Sequence, residues 1–429
     1  MPPATLQKWI TWGLVIIIAL MPFHAFLSVY LGSLVGHQAI IQSWKDVLVA
    51  LMSLAGAYLV VTSPDLRQRL WRPVNIAIFA FIALGLAVSL AHYGNSLRGL
   101  GFGIKTDCEF LVLFVLAQLA DHHQLENRIL RLVIITSAVV GLFGVVQALF
   151  LPRDFLAQFG YGASTIRPYE LIDPAIPNSV RIISTLSGPN QLGEFLILPI
   201  CLLTAMIIKK RKRLIPAIIL AVCLFTLFST YSRSAWAGAA TALGVTTLLS
   251  LPKKVALWLS ALGLVALVAV GLVGSSAIAH HSNLQYYLLH GRINVNHVEG
   301  SDQGRIASLK NGLSQAISHP LGKGLGTAGP ASYHSTQAII TENYYLQLGI
   351  EVGIVGLVLF LVIIGLAGIE LAAARQTSQL SVALLGALAG LTVINLFLHG
   401  WADSSTALSF WAIAGVAISQ TARPQAAHG

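Results

Sequence analysis

The sequence is poor in charged residues. Asp, Glu, Lys and Arg together make up 10% of its 429 residues, whereas 56% are hydrophobic. A soluble protein would carry about 25% charged residues, so this composition excludes an ordinary soluble enzyme. Apolar runs of about 17 to 22 residues recur, each long enough to cross a hydrocarbon core of about 30 Å as a helix. The chain is therefore predicted to be an all-α polytopic membrane protein.

Cysteine and metal-binding patterns are also scarce. The three cysteines lie in or beside apolar segments and form neither a disulfide framework nor a zinc spacing. Several histidines fall within residues 274–343, but without the tight spacing of a metal site, so neither a metal nor a cofactor is predicted. The net charge is +10, yet the basic residues stand in short clusters between apolar runs, which argues against a nucleic-acid partner. The histidines concerned are His280, His281, His290, His297, His319 and His334.

The apolar runs predict about twelve membrane spans in one membrane domain, residues 1–429. The first is interpreted as an uncleaved span, because it is too long for a secretory signal peptide. No internal repeat or soluble domain is apparent. The predicted spans are 9–31, 47–62, 74–91, 101–120, 131–151, 191–208, 214–230, 234–250, 255–273, 344–369, 381–398 and 404–420.

Three basic clusters set the orientation. Short loops rich in Lys and Arg stay in the cytoplasm, which places 67–72, 209–213 and 253–254 on that side. Both termini then lie in the cytoplasm. The loops 152–190 and 274–343 then lie on the other face of the membrane. The second, with about 70 residues, is a long extracytoplasmic loop predicted to contain a short helix.

Three arginines are candidates for a site on the outer face. Arg233 lies in the turn between the seventh and eighth spans, where an arginine snorkelling to lipid headgroups is the alternative. Arg181 precedes the Gly188-Pro-Asn190 segment that opens the sixth span. Arg305 is expected at the start of an amphipathic helix, where an anionic ligand would account for a cation. Guanidinium groups bind phosphate in a bidentate fashion, so together they suggest a lipid-linked phosphate or diphosphate.

Other polar residues have competing interpretations. Asn190 is a candidate substrate contact or a local cap, and Glu194, about a turn inside an apolar helix, needs a partner such as one of the arginines. His334 and Glu342 are candidate general bases, or else a solvated loop histidine and a carboxylate favoured at a helix start. The glycine-rich turn 320–326 superficially resembles a phosphate-binding loop but is expected to be a flexible connector.

Four segments, in this order, resemble the O-antigen ligase and polymerase superfamily. They cover about 180 residues, from 180 to 357. The segments are Arg181 to Glu194 with its Gly-Pro-Asn core, Ser232-Arg-Ser-Ala-Trp236, Arg305 followed by His319-Pro-Leu-Gly-Lys-Gly-Leu-Gly326, and Glu342-Asn-Tyr-Tyr-Leu-Gln-Leu-Gly-Ile-Glu-Val-Gly-Ile-Val-Gly356.

The resemblance implies a metal-independent membrane glycosyltransferase with a GT-C-like fold. Its donor would be an undecaprenyl-diphosphate-linked glycan, and a base would assist an inverting-type attack by an acceptor glycan, lipid or protein. Arg233 and Arg305 would engage the diphosphate, with Arg181, Asn190, Glu194 and His334 as further substrate contacts. Asn343 and Tyr344, beside Glu342, complete the candidate set.

Glu342 departs from the family pattern, because lipopolysaccharide-type ligases usually carry histidine before the asparagine. Ligation to lipid A core is therefore less well supported than polymerisation or transfer to another acceptor. A transporter or flippase of lipid-linked substrates is the alternative from another class. Such a protein should bury its polar residues near the bilayer midplane, whereas here they gather at one face.

Overall fold

The computed structural model describes residues 2–92, 97–122, 124–172, 179–209, 213–256, 258, 301–335 and 338–420. These residues are almost entirely helical, and their only sheet is a two-residue ladder. The helices are α1 (Pro3–Leu20), α2 (His24–Val35), α3 (Gln38–Gln42), α4 (Trp44–Thr62), α5 (Pro64–Arg69), α6 (Pro73–Ala91), α7 (Leu97–Asp107), α8 (Glu109–Ala117), α9 (Leu125–Leu149), α10 (Pro189–Lys209), α11 (Leu214–Ser229), α12 (Arg233–Ser250), α13 (Ser301–Ser318), α14 (Tyr344–Glu351), α15 (Gly353–Ala373), α16 (Ser381–Ile394) and α17 (Ser404–Ser419).

The all-helical, multi-pass membrane prediction is confirmed. Among the described residues, six helical segments are long and apolar enough to cross a membrane, and three further apolar helices are shorter. The predicted spans coincide with helices, apart from the ninth (255–273), which lies almost entirely outside the described residues. The six long segments are Pro3–Val35, Trp44–Thr62, Pro73–Ala91, Leu125–Leu149, Pro189–Lys209 and Gly353–Gln376.

Helix α17 lies at the centre of the bundle. Every residue from 405 to 419 is buried, as expected for a helix that is apolar on all sides. Its Trp411 packs against Phe110 and Phe114 of α8, with ring centroids 5.7 and 5.4 Å apart. Aromatic burial of this kind dominates core energetics, so α8 and α17 form the core around which the other helices pack.

Small residues bring α12 and α16 into close contact. A Cβ on Gly390 would lie 2.7 Å from the Cβ of Ala242, and a Cβ on Gly238 would collide with Ile394. Gly238 and Ala242 are four residues apart and so share one helix face, the arrangement by which membrane helices approach closely. This contact fixes the axis of α12, whose first residue is Arg233.

Two predicted spans are each interrupted by a non-helical residue. The 101–120 span breaks at Cys108 between α7 and α8, and the 344–369 span breaks at Val352 between α14 and α15. A buried carboxyl group precedes each break, and the two groups, on Asp107 and Glu351, lie in hydrogen-bonding contact. The breaks thus place the carboxyl groups of Asp107 and Glu351 next to each other inside the bundle.

The glycine-rich turn 320–326 is packed, so the expectation of a flexible connector was wrong. The N–H groups of Gly326 and Ala328 donate to Glu351 Oε1 at 3.0 and 3.1 Å, and that of Leu325 donates to Ser89 Oγ. The N–H of Gly324 donates to the carbonyl oxygen of Glu351. With these donors bonded inside the protein, the turn also has little capacity to hold a phosphate.

The two longest loops, 152–190 and 274–343, contain short regular elements and one longer helix among their described residues. Residues 152–190 include a 3₁₀ turn, Phe155–Phe159, and an antiparallel ladder that pairs β1 (Glu170–Leu171) with β2 (Val180–Arg181). Within 274–343, the predicted amphipathic helix is present as α13. Because α13 already includes Ser301, Arg305 lies about one turn inside it, rather than at its start as expected.

The charged residues lie at opposite ends of the helices. Helix α10 runs from Pro189 to Lys209, so the Gly-Pro-Asn segment and the basic cluster 209–213 lie at its opposite ends. Two other basic residues lie on the same side of the bundle as that cluster. Arg72 forms an ion pair with Glu370 near the end of α15 (2.8 Å), and Arg375 donates to the carbonyl of Leu249 near the end of α12 (2.9 Å).

We expect Gly326→Ala to destabilise the protein. Gly326 has a φ of +79°, and an added Cβ would collide with the carbonyl of Gly99. The strain should lower the Tm by at least about 2 °C. Gly244→Ala on α12 is the matched control, because its Cβ would meet open space. Thermal unfolding of both purified variants measures the difference, and equal Tm values would contradict the packing described here.

Candidate functional site

Arg233 is positioned by a tight turn between α11 and α12. Tyr231 adopts a left-handed conformation (φ 49°), and the Ser232 hydroxyl caps α12 by accepting from the N–H of Ala235. Trp236 stacks on Phe228 with centroids 5.4 Å apart, and its indole N–H donates to the carbonyl of Leu227. This clamp fixes the first residue of α12, which sequence reasoning had placed in the same turn.

Arg181 is held by three different partners. Its Nε donates to the carbonyl of Thr230 (2.8 Å), one terminal nitrogen contacts Glu170 Oε2 (3.0 Å), and the other donates to Asn190 Oδ1 (2.8 Å). Glu170 is its cross-strand partner in the β1–β2 ladder. The planar guanidinium therefore ties the ladder, the α11–α12 turn and the start of α10 together.

Arg305 of α13 forms an ion pair with Glu342. The Nε of Arg305 lies 2.7 Å from Glu342 Oε2, and both side chains are about one-third exposed. Glu342 has a φ of +48°, a left-handed conformation that is rare for a residue with a long side chain. Two residues predicted as a base and a phosphate ligand are thus in direct contact.

The three arginines line one cavity. Its volume is about 110 Å³, and its walls include Arg181, Arg233 and Arg305 together with Asn190 and Tyr231. Burial lowers the pKa of Arg181; Glu170 opposes this shift, whereas Arg305 and Arg233 add to it. An arginine side chain remains protonated in proteins despite such shifts. The cavity therefore concentrates positive charge contributed by β2, α12 and α13.

The two residues that flank Glu342, Thr341 and Asn343, are held by hydrogen bonds. Asn343 caps α14: its Oδ1 accepts from the N–H of Leu346 and its Nδ2 donates to the carbonyl of Leu396. Thr341 Oγ1 donates to the carbonyl of Asn343 and lies 3.2 Å from His399 Nε2, so the imidazole is the donor in that second contact. Burial lowers the pKa of His399 to about 4, which leaves the ring neutral near pH 7.

Glu194 lies apart from the arginines. It is one turn deeper along α10 than Asn190, is 2% exposed, and has no arginine ion pair in the part of the chain that the structure describes. A Cβ on Gly400 would lie 3.4 Å from its carboxyl carbon, which places Glu194 beside the segment before α17. The expected arginine partner is absent because those side chains turn to the shallower cavity.

His334 and Tyr344 are also outside the arginine cavity. The His334 ring stacks on Phe102 of α7 with centroids 3.6 Å apart, and its pKa is lowered by desolvation and by Arg98 and Lys105. Tyr344 is fully buried, and its hydroxyl donates to Asp107 Oδ1 (3.0 Å). Of the nine predicted site residues, Arg181, Arg233, Arg305 and Asn190 line the cavity, and Glu342 reaches it through Arg305.

Sequence reasoning missed several residues that support this site. Glu170 and His399 carried no recognisable signal, because Glu170 meets Arg181 across a two-residue ladder and His399 contacts Thr341, 58 residues away in sequence. Asp107 and Glu351 did carry one, since an ionisable residue within an apolar span is unusual. Among the described residues there is no group of three or more His, Cys, Asp or Glu side chains that could hold a metal ion.

Two comparisons identify relatives of this chain. Residues 218–361 match the family model described as O-antigen ligase (Wzy_C), a range that contains Arg233, Arg305 and Glu342. This segment of the chain is similar to the O-antigen ligase family. An O-antigen polymerase from Salmonella muenchen is 40% identical over 62 residues, which cover 14% of this chain and 16% of that protein. The predicted resemblance to the O-antigen ligase and polymerase superfamily is thereby confirmed, although the aligned segment spans under a fifth of the curated relative.

The segment that matches the family model and the residues before it build the cavity together. Arg233 and Arg305 lie within the matched range, whereas Arg181 and Asn190 precede it. Three guanidinium groups line the cavity, and among the described residues Arg181 is paired with Glu170 and Arg305 with Glu342. This arrangement can bind a compact anion with several oxygens.

We expect Arg233→Gln to weaken the binding of inorganic pyrophosphate by about tenfold or more, the value of one charge-assisted hydrogen bond to phosphate. Arg128→Gln on α9 is the matched control, because that guanidinium lies over the ring of Trp12, away from the cavity. Calorimetric titration of the purified protein measures both affinities. If both variants lost pyrophosphate affinity equally, the arginines would act through general electrostatic attraction and not through a specific site.

Proposed function

We propose that this protein is a membrane glycosyltransferase that takes its glycan from a polyprenyl-diphosphate-linked donor. The observation that carries the proposal is the cavity in which Arg181, Arg233 and Arg305 converge within and beside the segment that is similar to the O-antigen ligase family. A diphosphate offers oxygens to several guanidinium groups at once.

We infer that the cavity faces the extracytoplasmic side of a bacterial plasma membrane. The basic clusters lie at the opposite ends of α10 and α12 from the arginine cavity. Lys and Arg in short loops mark the cytoplasmic side, so the cavity takes the other. Twelve spans with both termini in the cytoplasm, as in a GT-C-like fold, agree with this orientation, and the long segment 274–343 then carries α13 on the outer face.

In the proposed reaction, an acceptor hydroxyl oxygen attacks the anomeric carbon of the donor sugar. The bond between that carbon and the diphosphate oxygen breaks, and its electron pair passes to the diphosphate. Arg181, Arg233 and Arg305 stabilise the charge that develops on the leaving group, and the hydrogen bonds of Arg181 to Thr230 and Asn190 hold its guanidinium at the cavity. No step in this scheme requires a metal ion.

Glu342 is the proposed general base, which accepts the proton of the acceptor hydroxyl. In the free protein its carboxylate is engaged by Arg305 at 2.7 Å. A bound diphosphate competes for the same guanidinium, so donor binding frees the carboxylate. The base therefore becomes available only when the donor is present, which limits wasteful deprotonation of other hydroxyl groups.

The residue before Asn343 bears on the identity of the acceptor. Glu342 stands where lipopolysaccharide-type ligases usually have histidine, and the curated relative is named a polymerase. We therefore favour growth of a glycan chain, or transfer to an acceptor other than lipid A core. The cavity lies at helix ends rather than at the midplane, which favours an enzyme over a transporter.

Glu342→Gln should abolish transfer yet tighten donor binding. Loss of the base is expected to reduce transfer by at least about 100-fold. Loss of the carboxylate frees Arg305, which should raise pyrophosphate affinity by up to about fivefold, the value of a partly exposed ion pair. Transfer assays and calorimetric titration of the same preparation measure the two effects. Glu170→Gln is the control, since it removes a carboxylate from Arg181 without removing the proposed base.

If Glu342→Gln weakened pyrophosphate binding, the competition for Arg305 would be excluded. If the variant retained transfer, another group would be the base.

Arg305→Lys should impair function almost as severely as Arg305→Ala. A lysine keeps the charge but cannot present two parallel N–H donors to a diphosphate. The chain-length profile and amount of surface glycan in cells lacking the native protein provide the measurement. Normal glycan with Arg305→Lys would mean that charge alone is required.

A further inference from the structure

A crevice that faces the membrane lies between α4 and α6, away from the arginine cavity. Its volume is about 570 Å³. Both helices pack on α8, which forms the floor of the crevice. Ala57 and Val61 of α4 and Phe79 of α6 are exposed along its walls, whereas Leu116 of α8 is buried at its base. The crevice is therefore open toward the lipid that surrounds the bundle.

Small residues on one face of α4 create the crevice. Ser53, Gly56 and Ala57 line it at spacings of three and one, so they share a helix face. A Cβ on Gly56 would lie 2.5 Å from Leu116 Cδ2, so α8 approaches α4 closely while the space beside Gly56 stays open. In the membrane interior, hydrocarbon fills such an apolar space, because an empty one forfeits dispersion contacts and no bulk water is present.

The crevice has about the length of one leaflet of a bilayer. Its α4 wall runs from Ser53 to Val61, about 12 Å at the helical rise. Half of a hydrocarbon core is about 15 Å thick. Arg67 and Trp71, which follow the end of α4 in the chain, line the same crevice. It therefore runs from the membrane boundary toward the bilayer midplane, which is the path of one phospholipid acyl chain.

The boundary end of the crevice is basic. Arg67 is exposed, and its guanidinium forms no ion pair within the ranges that the structure describes. Helix α5 carries Arg67 and Arg69 against Asp65. Trp71 is largely exposed, and tryptophan favours the headgroup level of a bilayer. Because a guanidinium binds phosphate oxygens, this end of the crevice matches an anionic headgroup.

We propose that the crevice between α4, α6 and α8 binds an anionic phospholipid, with one acyl chain along Ala57 and Val61 and the phosphate at Arg67. The basic cluster 67–72 assigns this end of the helices to the cytoplasmic leaflet. Apolar contact along the crevice adds to the attraction between the headgroup and Arg67. The site goes beyond the proposed glycan transfer and does not depend on it.

Photo-crosslinking in a defined bilayer tests this site. The probe is a phosphatidylglycerol with a diazirine in one acyl chain, added to the purified full-length protein in phosphatidylcholine nanodiscs. Mass spectrometry after proteolysis locates the adducts, which we expect to concentrate in residues 53–61, 76–82 and 112–119. Unlabelled phosphatidylglycerol should compete. A phosphatidylcholine with the same diazirine chain should label the crevice about fivefold less, because it lacks a net negative charge.

Two pairs of variants separate the headgroup from the chain. Arg67→Gln should lower crevice labelling by the phosphatidylglycerol probe about fivefold, the value of one basic residue at an anionic headgroup. Arg69→Gln, on the same helix but outside the crevice, should leave labelling unchanged. Ala57→Trp fills the crevice and should lower labelling at least about fivefold with either headgroup. Ala80→Trp, at an exposed position of α6 that does not line the crevice, should have no effect.

Three results would overturn the assignment. Equal crevice labelling by the two lipid probes would mean that the crevice takes any acyl chain. Equal loss of labelling in the two arginine variants would indicate attraction to a basic surface and not a headgroup site. Competition by undecaprenyl diphosphate as strong as that by phosphatidylglycerol would assign the crevice to a polyprenyl chain instead.

Discussion

The convergence of three guanidinium groups on one small cavity is the constraint on which the rest of this structure depends. Like charges at short range repel, and the repulsion is offset only when each group has fixed acceptors. Arg181 has Glu170, Asn190 and the Thr230 carbonyl, and Arg305 has Glu342. The elements that bear these acceptors cannot move apart without leaving a charge poorly compensated.

That requirement accounts for where the rigid parts of the fold lie. The α11–α12 turn is clamped by stacked aromatic rings, and α12 is fixed by its close contact with α16. The start of α14, next to Glu342, is anchored to the segment before α17 through Asn343 and His399. Each arginine or its partner therefore sits at the end of a well-packed helix, which is the kind of support a preorganised site needs.

Much of this could be predicted from the sequence. Apolar runs located the helices closely, because a residue's preference for the membrane interior is local in sequence, and α13 followed from the spacing of Ile306, Leu309 and Leu313. The three arginines were identified from their positions at helix ends. That the three arginines meet at one site was inferred only because all three were predicted to lie on the same side of the membrane.

The rest depended on contacts between distant segments. Nothing in the sequence paired Glu170 with Arg181 or His399 with Thr341, and Glu194 turned toward α17 instead of toward an arginine. The glycine-rich turn 320–326 looked like a flexible segment because glycine tolerates many conformations. In the structure, that same tolerance permits a close-packed turn bonded to Glu351.

Reconstitution tests the account most directly. Purified protein in liposomes would receive an undecaprenyl-diphosphate oligosaccharide, alone and with candidate acceptors, and released undecaprenyl diphosphate would be measured together with the glycan product. The account predicts release that matches product formation one for one. Growth of the oligosaccharide without an added acceptor would indicate a polymerase, and transfer only to another molecule a ligase. Movement of the intact donor across the bilayer with no release of undecaprenyl diphosphate would contradict the proposed glycan transfer.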